Sequence, residues 1–447
     1  MSKSKMKFGF FTYCKSRTQD FIALLREDWF RTVFCLSLTF LLPEYLAIGS
    51  VFLALLFLIR TMKKEKLTLK CGWLGILLVL YVISGYVSCF FALKPIHSFL
   101  MASLWAAMMI GYFAFTTILT DRDRLRITLQ TFLICAFICG ILGILQYILN
   151  LFGDFLNIRN IWFPLDNFLY ETFSPEEFSL DWSGNRIAST FSNPNLYAME
   201  MVLVLPLGLY CLTTASSKNS RILHAALLLV SLVGSLFTFS RSFYFTIIPM
   251  IIAYLLLSFT KSKLSRWGFL VFCAALVLFK LIPNPFFDRF TYLSFGDVSI
   301  SKRFEAWIIA IRAFLERPLC GYGIGSLNAW QLLKNYGLTV GIHHMHNLPL
   351  ELLAEGGLIA LLIFAVMGLN VSISSIKLHR VKVREDSMLG TTFLVVAAGF
   401  VLFSVAQFPM TTPKSIILFI LMFGLIDAGN GLRKTKKLYE IKRKTSV

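Results

Sequence analysis

Hydrophobic positions in this chain come in long unbroken runs, without the strict alternation of a half-buried strand or the narrow stripe of a soluble amphipathic helix. The runs fall at approximately 32–42, 44–60, 72–93, 97–120, 127–151, 196–214, 222–239, 243–260, 268–283, 347–370, 390–409 and 414–430. An apolar run of about 20 residues crosses the hydrocarbon core as a helix. The pattern therefore predicts an all-α, polytopic membrane protein with about twelve spans, residues 1–447 forming one transmembrane domain. The first run is short for a span and is expected to form a tight hairpin with the second.

Two long polar segments interrupt the runs, 152–195 and 284–346, and both are expected on the outer side. The second contains a helical pattern. Phe304, Trp307, Ile308, Ile311 and Phe314 recur at helical spacing, with Arg303, Glu305, Arg312 and Glu316 on the other face. This helix is too short and too charged to span, so it is expected to lie in the outer interface, aromatic side down, and to end at Pro318. An ordinary amphipathic surface helix has the same pattern.

The next apolar run opens with His346-Asn347-Leu348-Pro349. Asn347 suits an N-cap and proline is tolerated in a first turn, so a membrane helix is expected to begin there with His346 just outside it. The positive end of a helix dipole disfavours imidazolium, leaving His346 suited to accept a proton.

Composition agrees with a membrane class: 57% of the 447 residues are hydrophobic and 44 are phenylalanine. The net charge of +19 would point to nucleic acid in a soluble chain, but here it has another source. With the N-terminus inside, every cytoplasmic loop is basic, which sets both termini in the cytoplasm of a multi-pass plasma (inner) membrane protein. Basic tails then need only anionic lipid headgroups, and no nucleic acid is expected. The nine cysteines are scattered; no zinc spacing, outer disulfide or cleavable signal peptide is read from them or from the N-terminus.

Further polar residues stand out on the outer side. The 152–195 segment is acidic and rich in aromatics such as Trp162, Phe163 and Trp182, which suit sugar stacking or an interfacial belt. It closes with Arg186-Ile-Ala-Ser-Thr-Phe-Ser-Asn-Pro-Asn195. Glu200, one turn into the following span, is an intramembrane acid expected to pair with an arginine from an outer loop. Ser240-Arg241-Ser242 joins two spans with almost no loop; held there, Arg241 either snorkels or clamps an anion. Lys414, after the turn at 407–413, is expected on the same side. Glu351 and Glu355 share a helix face, where they either orient the cluster or serve packing. Gln146 reads as interhelical hydrogen bonding, His97 as a solvated or capping residue, and Asp427 as structural.

The ordered set Arg186-x-x-Ser-Thr-Phe-Ser-Asn-Pro-Asn, Ser240-Arg241-Ser, Arg303-x-x-x-Trp307, Pro318-x-x-Gly321-Tyr322-Gly323-x-Gly325-Ser326 and His346-Asn347-x-x-Leu350-Glu351-x-x-x-Glu355-x-Gly357 resembles the O-antigen ligase and polymerase superfamily over about residues 185–425. The resemblance implies metal-independent, cofactor-free, inverting transfer at the outer membrane face, from an undecaprenyl-diphosphate-linked glycan to a sugar hydroxyl of a glycolipid or glycan acceptor. It makes His346 the catalytic histidine and Arg241 and Arg303 the diphosphate-binding arginines, with Arg186, Glu200, Asn347, Glu351, Glu355 and Lys414 as further binding candidates. A repeat-unit polymerase is the alternative within the superfamily, since Arg312 and Gly323 stand at a matching spacing. A twelve-span solute transporter is the alternative outside it, although carriers place their polar breaks near the midplane.

Overall fold

The computed structural model describes residues 21–151, 186–281, 298–338 and 342–445, and all regular structure in them is helical. In chain order the helices are α1 (Asp28–Ser37), α2 (Glu44–Glu65), α3 (Trp73–Ser88), α4 (Pro95–Ile118), α5 (Arg122–Leu151), α6 (Pro194–Thr214) and α7 (Lys218–Leu236). There follow α8 (Arg241–Leu257), α9 (Lys263–Leu281), α10 (Val298–Glu316), α11 (Ser326–Asn335), α12 (Leu348–His379), α13 (Arg384–Ser404) and α14 (Pro413–Thr445). Nine among the described residues are long and apolar enough to cross a membrane, and α8 is a shorter apolar helix. The acids and aromatics of 152–185 lie outside the described residues.

The first expected span is not one. α1 has 10 residues and runs into a 3-10 turn, Leu38–Phe40; at 1.5 Å per residue it rises about 15 Å, half the hydrocarbon core. It does pair with α2 as a hairpin. Arg31 lies 5.6 Å from the Phe57 ring centroid and Lys64 lies 3.9 Å from Glu27, so the two helices run antiparallel.

The space beyond α1 is filled by chain that looks like an outer loop in the sequence. Residues 187–191 are non-helical yet buried: Ile187 is fully covered, and Thr190 and Phe191 nearly so. Irregular backbone survives at such a place only if its polar groups find partners inside the protein. Gln146 supplies one set, its Oε1 accepting from the Ala188 and Ser189 amides at 3.2 and 3.0 Å. It therefore serves this buried loop and does not make the helix-to-helix bond its sequence position suggests.

Lys414 supplies the other set. Its ammonium is fully buried and donates to Leu42 O at 3.0 Å, Thr190 O at 2.9 Å and Thr190 Oγ1 at 2.9 Å, with the Phe191 ring centroid 3.7 Å away. Glu44, also buried, accepts from Ser192 Oγ at 2.8 Å and from the Lys414 amide at 3.2 Å. Lys414 thus ties three turns of irregular chain together instead of facing a substrate. Lys414→Met should leave two buried carbonyls short of a donor. At about 1–3 kcal/mol for each orphaned group, thermal unfolding in detergent should show a clear loss of stability, while unchanged unfolding would contradict this role.

A second irregular stretch explains the glycine-rich motif. α12 breaks at Gly357, where φ is +65° and ψ −161°. The carbonyls of Ala354 and Glu355 accept from the Tyr322 and Gly323 amides at 2.9 and 2.8 Å, and the Leu358 amide donates to Pro318 O at 2.8 Å. The Pro318–Gly325 turn thereby makes the bonds that the broken helix gives up. Gly321 sits at φ +62°, and a Cβ there would stand 2.6 Å from Ala354 O. No side chain fits, so the glycines are a packing requirement of this joint.

α10 is held on the bundle by Ala306, Ile309, Ala310 and Ala313, all buried, while Phe304, Ile308, Ile311 and Leu315 form an exposed apolar stripe. The stripe fits the expected interfacial placement of this helix. Trp307 is the exception to the expected face. It turns inward and its Nε1 donates to Met345 O at 2.8 Å.

Candidate functional site

α10 and α12 bring two of the sequence motifs to one place. One turn before Trp307, Arg303 Nη1 donates to Ala406 O at 3.1 Å. Asn347 caps α12 as expected: its Oδ1 accepts from the Leu350 amide at 3.1 Å, and its Nδ2 donates to Val405 O at 2.8 Å. Between these contacts, His346 adopts a left-handed backbone with φ +50°. Such strain in a bulky residue persists only where its surroundings fix it.

Gln407 is the residue that joins the parts. Its Oε1 lies 3.1 Å from His346 Nδ1, and its Nε2 donates to Ser242 Oγ at 3.4 Å. With Oε1 facing the ring, the matching tautomer has the proton on Nδ1 of His346 and leaves Nε2 as the acceptor. Arg241, the first residue of α8, precedes Ser242 directly. The three motifs built on Arg241, Arg303 and His346 thus meet at the 405–407 turn that closes α13. Gln407 has the weakest signal in the sequence, a lone amide at the end of an apolar run. Gln407→Leu should lower turnover by about 2–10-fold, the worth of one net hydrogen bond; unaltered turnover would remove Gln407 from the site.

The loop before α12 is fixed from beneath. Met345 is fully buried and its amide donates to Glu351 Oε2 at 2.5 Å. Glu351 and Glu355 are both buried one turn apart, and Glu355 faces the Gly325 amide. These acids hold the histidine loop and the glycine turn. His344 accepts from the His346 amide through Nδ1 at 3.2 Å, its ring centroid 3.9 Å from that of His346.

Burial and then the Arg303 guanidinium push His346 down from 6.5 to about 3, and burial, His346 and Arg303 push His344 well down too. Both imidazoles are neutral at pH 7. The folded chain therefore binds fewer protons than the unfolded chain between the ordinary value and the folded one, so stability is full above about 6.5 and is lost as pH falls through that window. Melting temperatures should fall from pH 7 to pH 5, and His344→Asn/His346→Asn should flatten that fall. An equally steep fall in the double variant would contradict it.

The remaining candidates sit elsewhere. Arg186 donates through Nε to Thr238 O at 2.9 Å and through Nη2 to Asn195 Oδ1 at 3.0 Å, bracing the turn that precedes Arg241. Glu200 does not pair with an arginine. It lies 1% exposed inside α6, next to the Cys139 thiol, and the cation whose field reaches it is Lys414. Beneath the 405–407 turn, an apolar cavity of about 510 Å³ is lined by Leu348, Pro349, Leu352, Phe400 and Val405 among others.

Comparison with known proteins agrees with the elements that converge here. Residues 226–365 match the O-antigen ligase family. The matched stretch runs from within α7 to within α12 and contains Arg241, Arg303 and His346 but not Arg186, Glu200 or Lys414. It is shorter than the 185–425 suggested by the motifs. The chain is also similar to the ComP-specific O-oligosaccharyltransferase of Acinetobacter baylyi (strain ATCC 33305 / BD413 / ADP1), 29% identical over 201 residues. That similarity covers 42% of this chain and 35% of the relative, so the chain spans about a third of the length of the curated protein it matches.

Proposed function

We propose that the protein is a membrane glycosyltransferase of the ligase class, moving a glycan from undecaprenyl diphosphate to a hydroxyl of a glycan or glycolipid at the outer face of the plasma membrane. The observation that carries this reading is the junction at 405–407, where Arg303 and His346 both make direct hydrogen bonds and Ser242, next to Arg241, makes a third through Gln407. The O-antigen ligase match, which spans Ser242, Arg303 and His346 but not the 405–407 turn, and the oligosaccharyltransferase name of the relative support it.

The chemistry follows from the side chains. His346 Nε2 takes the acceptor hydroxyl proton as the acceptor oxygen bonds to the anomeric carbon. The carbon–oxygen bond to the diphosphate breaks with its electron pair, and a single displacement inverts the centre. Negative charge builds on the leaving diphosphate, where two fixed guanidiniums stabilise it in a site of low dielectric. Arg303 by itself weakens His346 as a base. A diphosphate beside Arg303 offsets that field and raises the basicity of the imidazole, so proton acceptance is coupled to the presence of donor. The apolar cavity beneath suits part of a prenyl chain.

The test is transfer by the purified protein in liposomes supplied with a lipid-linked glycan and a glycan acceptor. Release of undecaprenyl diphosphate with a new glycosidic bond is expected. Movement of a small solute without any transfer would favour a carrier.

A further inference from the structure

The end of the bundle opposite His346 carries a second polar feature. Beyond its break at Gly357, α12 continues to His379, a further rise of about 33 Å away from the His346 loop. There, between α3, α4, α12 and α14, a cavity of about 1090 Å³ has Lys70, Lys377 and Arg433 in its wall, with Thr116, Asn370 and Ser374. The three cations come from three separate segments. Arg433 is directed by a hydrogen bond from Nη1 to Lys377 O at 3.2 Å, and the Lys70 carbonyl is fixed by Thr116 Oγ1 at 2.8 Å.

One acid shares the wall, Asp427, and it is already engaged. Tyr112 donates to its Oδ2 at 2.6 Å, and the same phenol oxygen accepts from the Gly72 and Gly75 amides at 2.9 and 3.0 Å. That knot secures the first turn of α3, whose positive dipole end also borders the cavity. No ion pair joins Lys70, Lys377 or Arg433 to an acid among the described residues. The cavity therefore holds an excess of positive charge. Its rim is apolar on the side facing the bilayer, where Trp73, Ile76 and Ile373 are 68%, 44% and 42% exposed.

We propose that this cavity binds the phosphate headgroup of an anionic glycerophospholipid from the leaflet on that side, with the acyl chains lying along Trp73, Ile76 and Ile373. Phosphate chemistry is set by the three cations; a lipid rather than a free anion is set by the apolar rim continuous with the charged wall. Nothing in the transfer reaction requires the site, which lies on the face that the basic loops assign to the cytoplasm.

Cys71, exposed in the same wall, reports on occupancy. Its alkylation by a neutral maleimide is followed by mass spectrometry of its peptide, with the full chain in vesicles of phosphatidylcholine alone or with added phosphatidylglycerol. Phosphatidylglycerol should slow labelling. Lys70→Gln/Lys377→Gln/Arg433→Gln should weaken the protecting lipid on the order of a hundredfold, from roughly a fivefold loss for each of the three basic groups, while leaving glycan transfer intact. Equal labelling in both vesicles, or equal protection in the triple variant, would overturn the site. Equal protection by inorganic phosphate in phosphatidylcholine vesicles would overturn the lipid assignment.

Discussion

His346→Ala should lower glycan transfer by about 10²–10⁴-fold, the usual worth of a positioned general base. Donor binding should survive, because the guanidiniums and the apolar cavity are untouched, so the loss belongs in kcat. The variant also loses the bond to Gln407, but Asn347 still caps α12 and Glu351 still holds the Met345 amide, so the loop has independent supports. Membrane insertion and melting behaviour measured alongside separate chemistry from folding. The pH profile adds a second constraint. With His346 pushed down to about 3, the acid limb of kcat/KM should lie well below the 6.5 of an ordinary histidine. In the donor complex, the limb of kcat should move upward as the diphosphate offsets Arg303. Unchanged transfer in His346→Ala would end the base assignment.

Arg303→Lys should cost about 10²–10³-fold in kcat, the range seen when one fixed donor to a developing oxyanion is lost. Charge is kept, so a purely electrostatic attraction of donor to the membrane face would survive the change. A lysine lacks the planar fork that reaches the Ala406 carbonyl with one nitrogen while presenting others to a phosphate. The effect should therefore appear chiefly in turnover. Arg241→Lys is expected to fall in the same direction, and the two changes together should cost less than the product of their single effects, because both act on one leaving group. Independent, fully multiplicative losses would show that the arginines serve different steps. Arg186→Lys should instead disturb the fold, since its guanidinium bridges Thr238 and Asn195.

Hydropathy made most of the helices legible, because a run of apolar residues in lipid has no choice but to satisfy its own backbone. What it could not reveal is chain that is neither helix nor outer loop. The segment 187–191 has the composition of a surface turn, yet it is buried because α1 stops halfway and leaves room above it. Its partners Gln146 and Lys414 are remote in sequence, and neither position by itself shows what it will meet. That is why Lys414 read as a binding residue and Glu200 as an arginine partner. The glycine motif was visible as a motif, but its role depends on the break at Gly357, which only the tertiary structure brings against Pro318 and Tyr322. In the candidate site, the arginines and the histidine carried strong local signals: charge at the ends of apolar runs, and a capping pattern at Asn347. Gln407 and Ser242 carried almost none. A hydroxyl and an amide at a helix end acquire meaning only once α8, α12 and α13 are seen to share a corner.

The most direct measurement is an experimental structure with undecaprenyl diphosphate bound. The account predicts the diphosphate between the Arg241 and Arg303 side chains, with His346 Nε2 open to the side from which an acceptor hydroxyl approaches. A diphosphate seated away from both guanidiniums, or with His346 turned from it behind the Gln407 amide, would contradict the account.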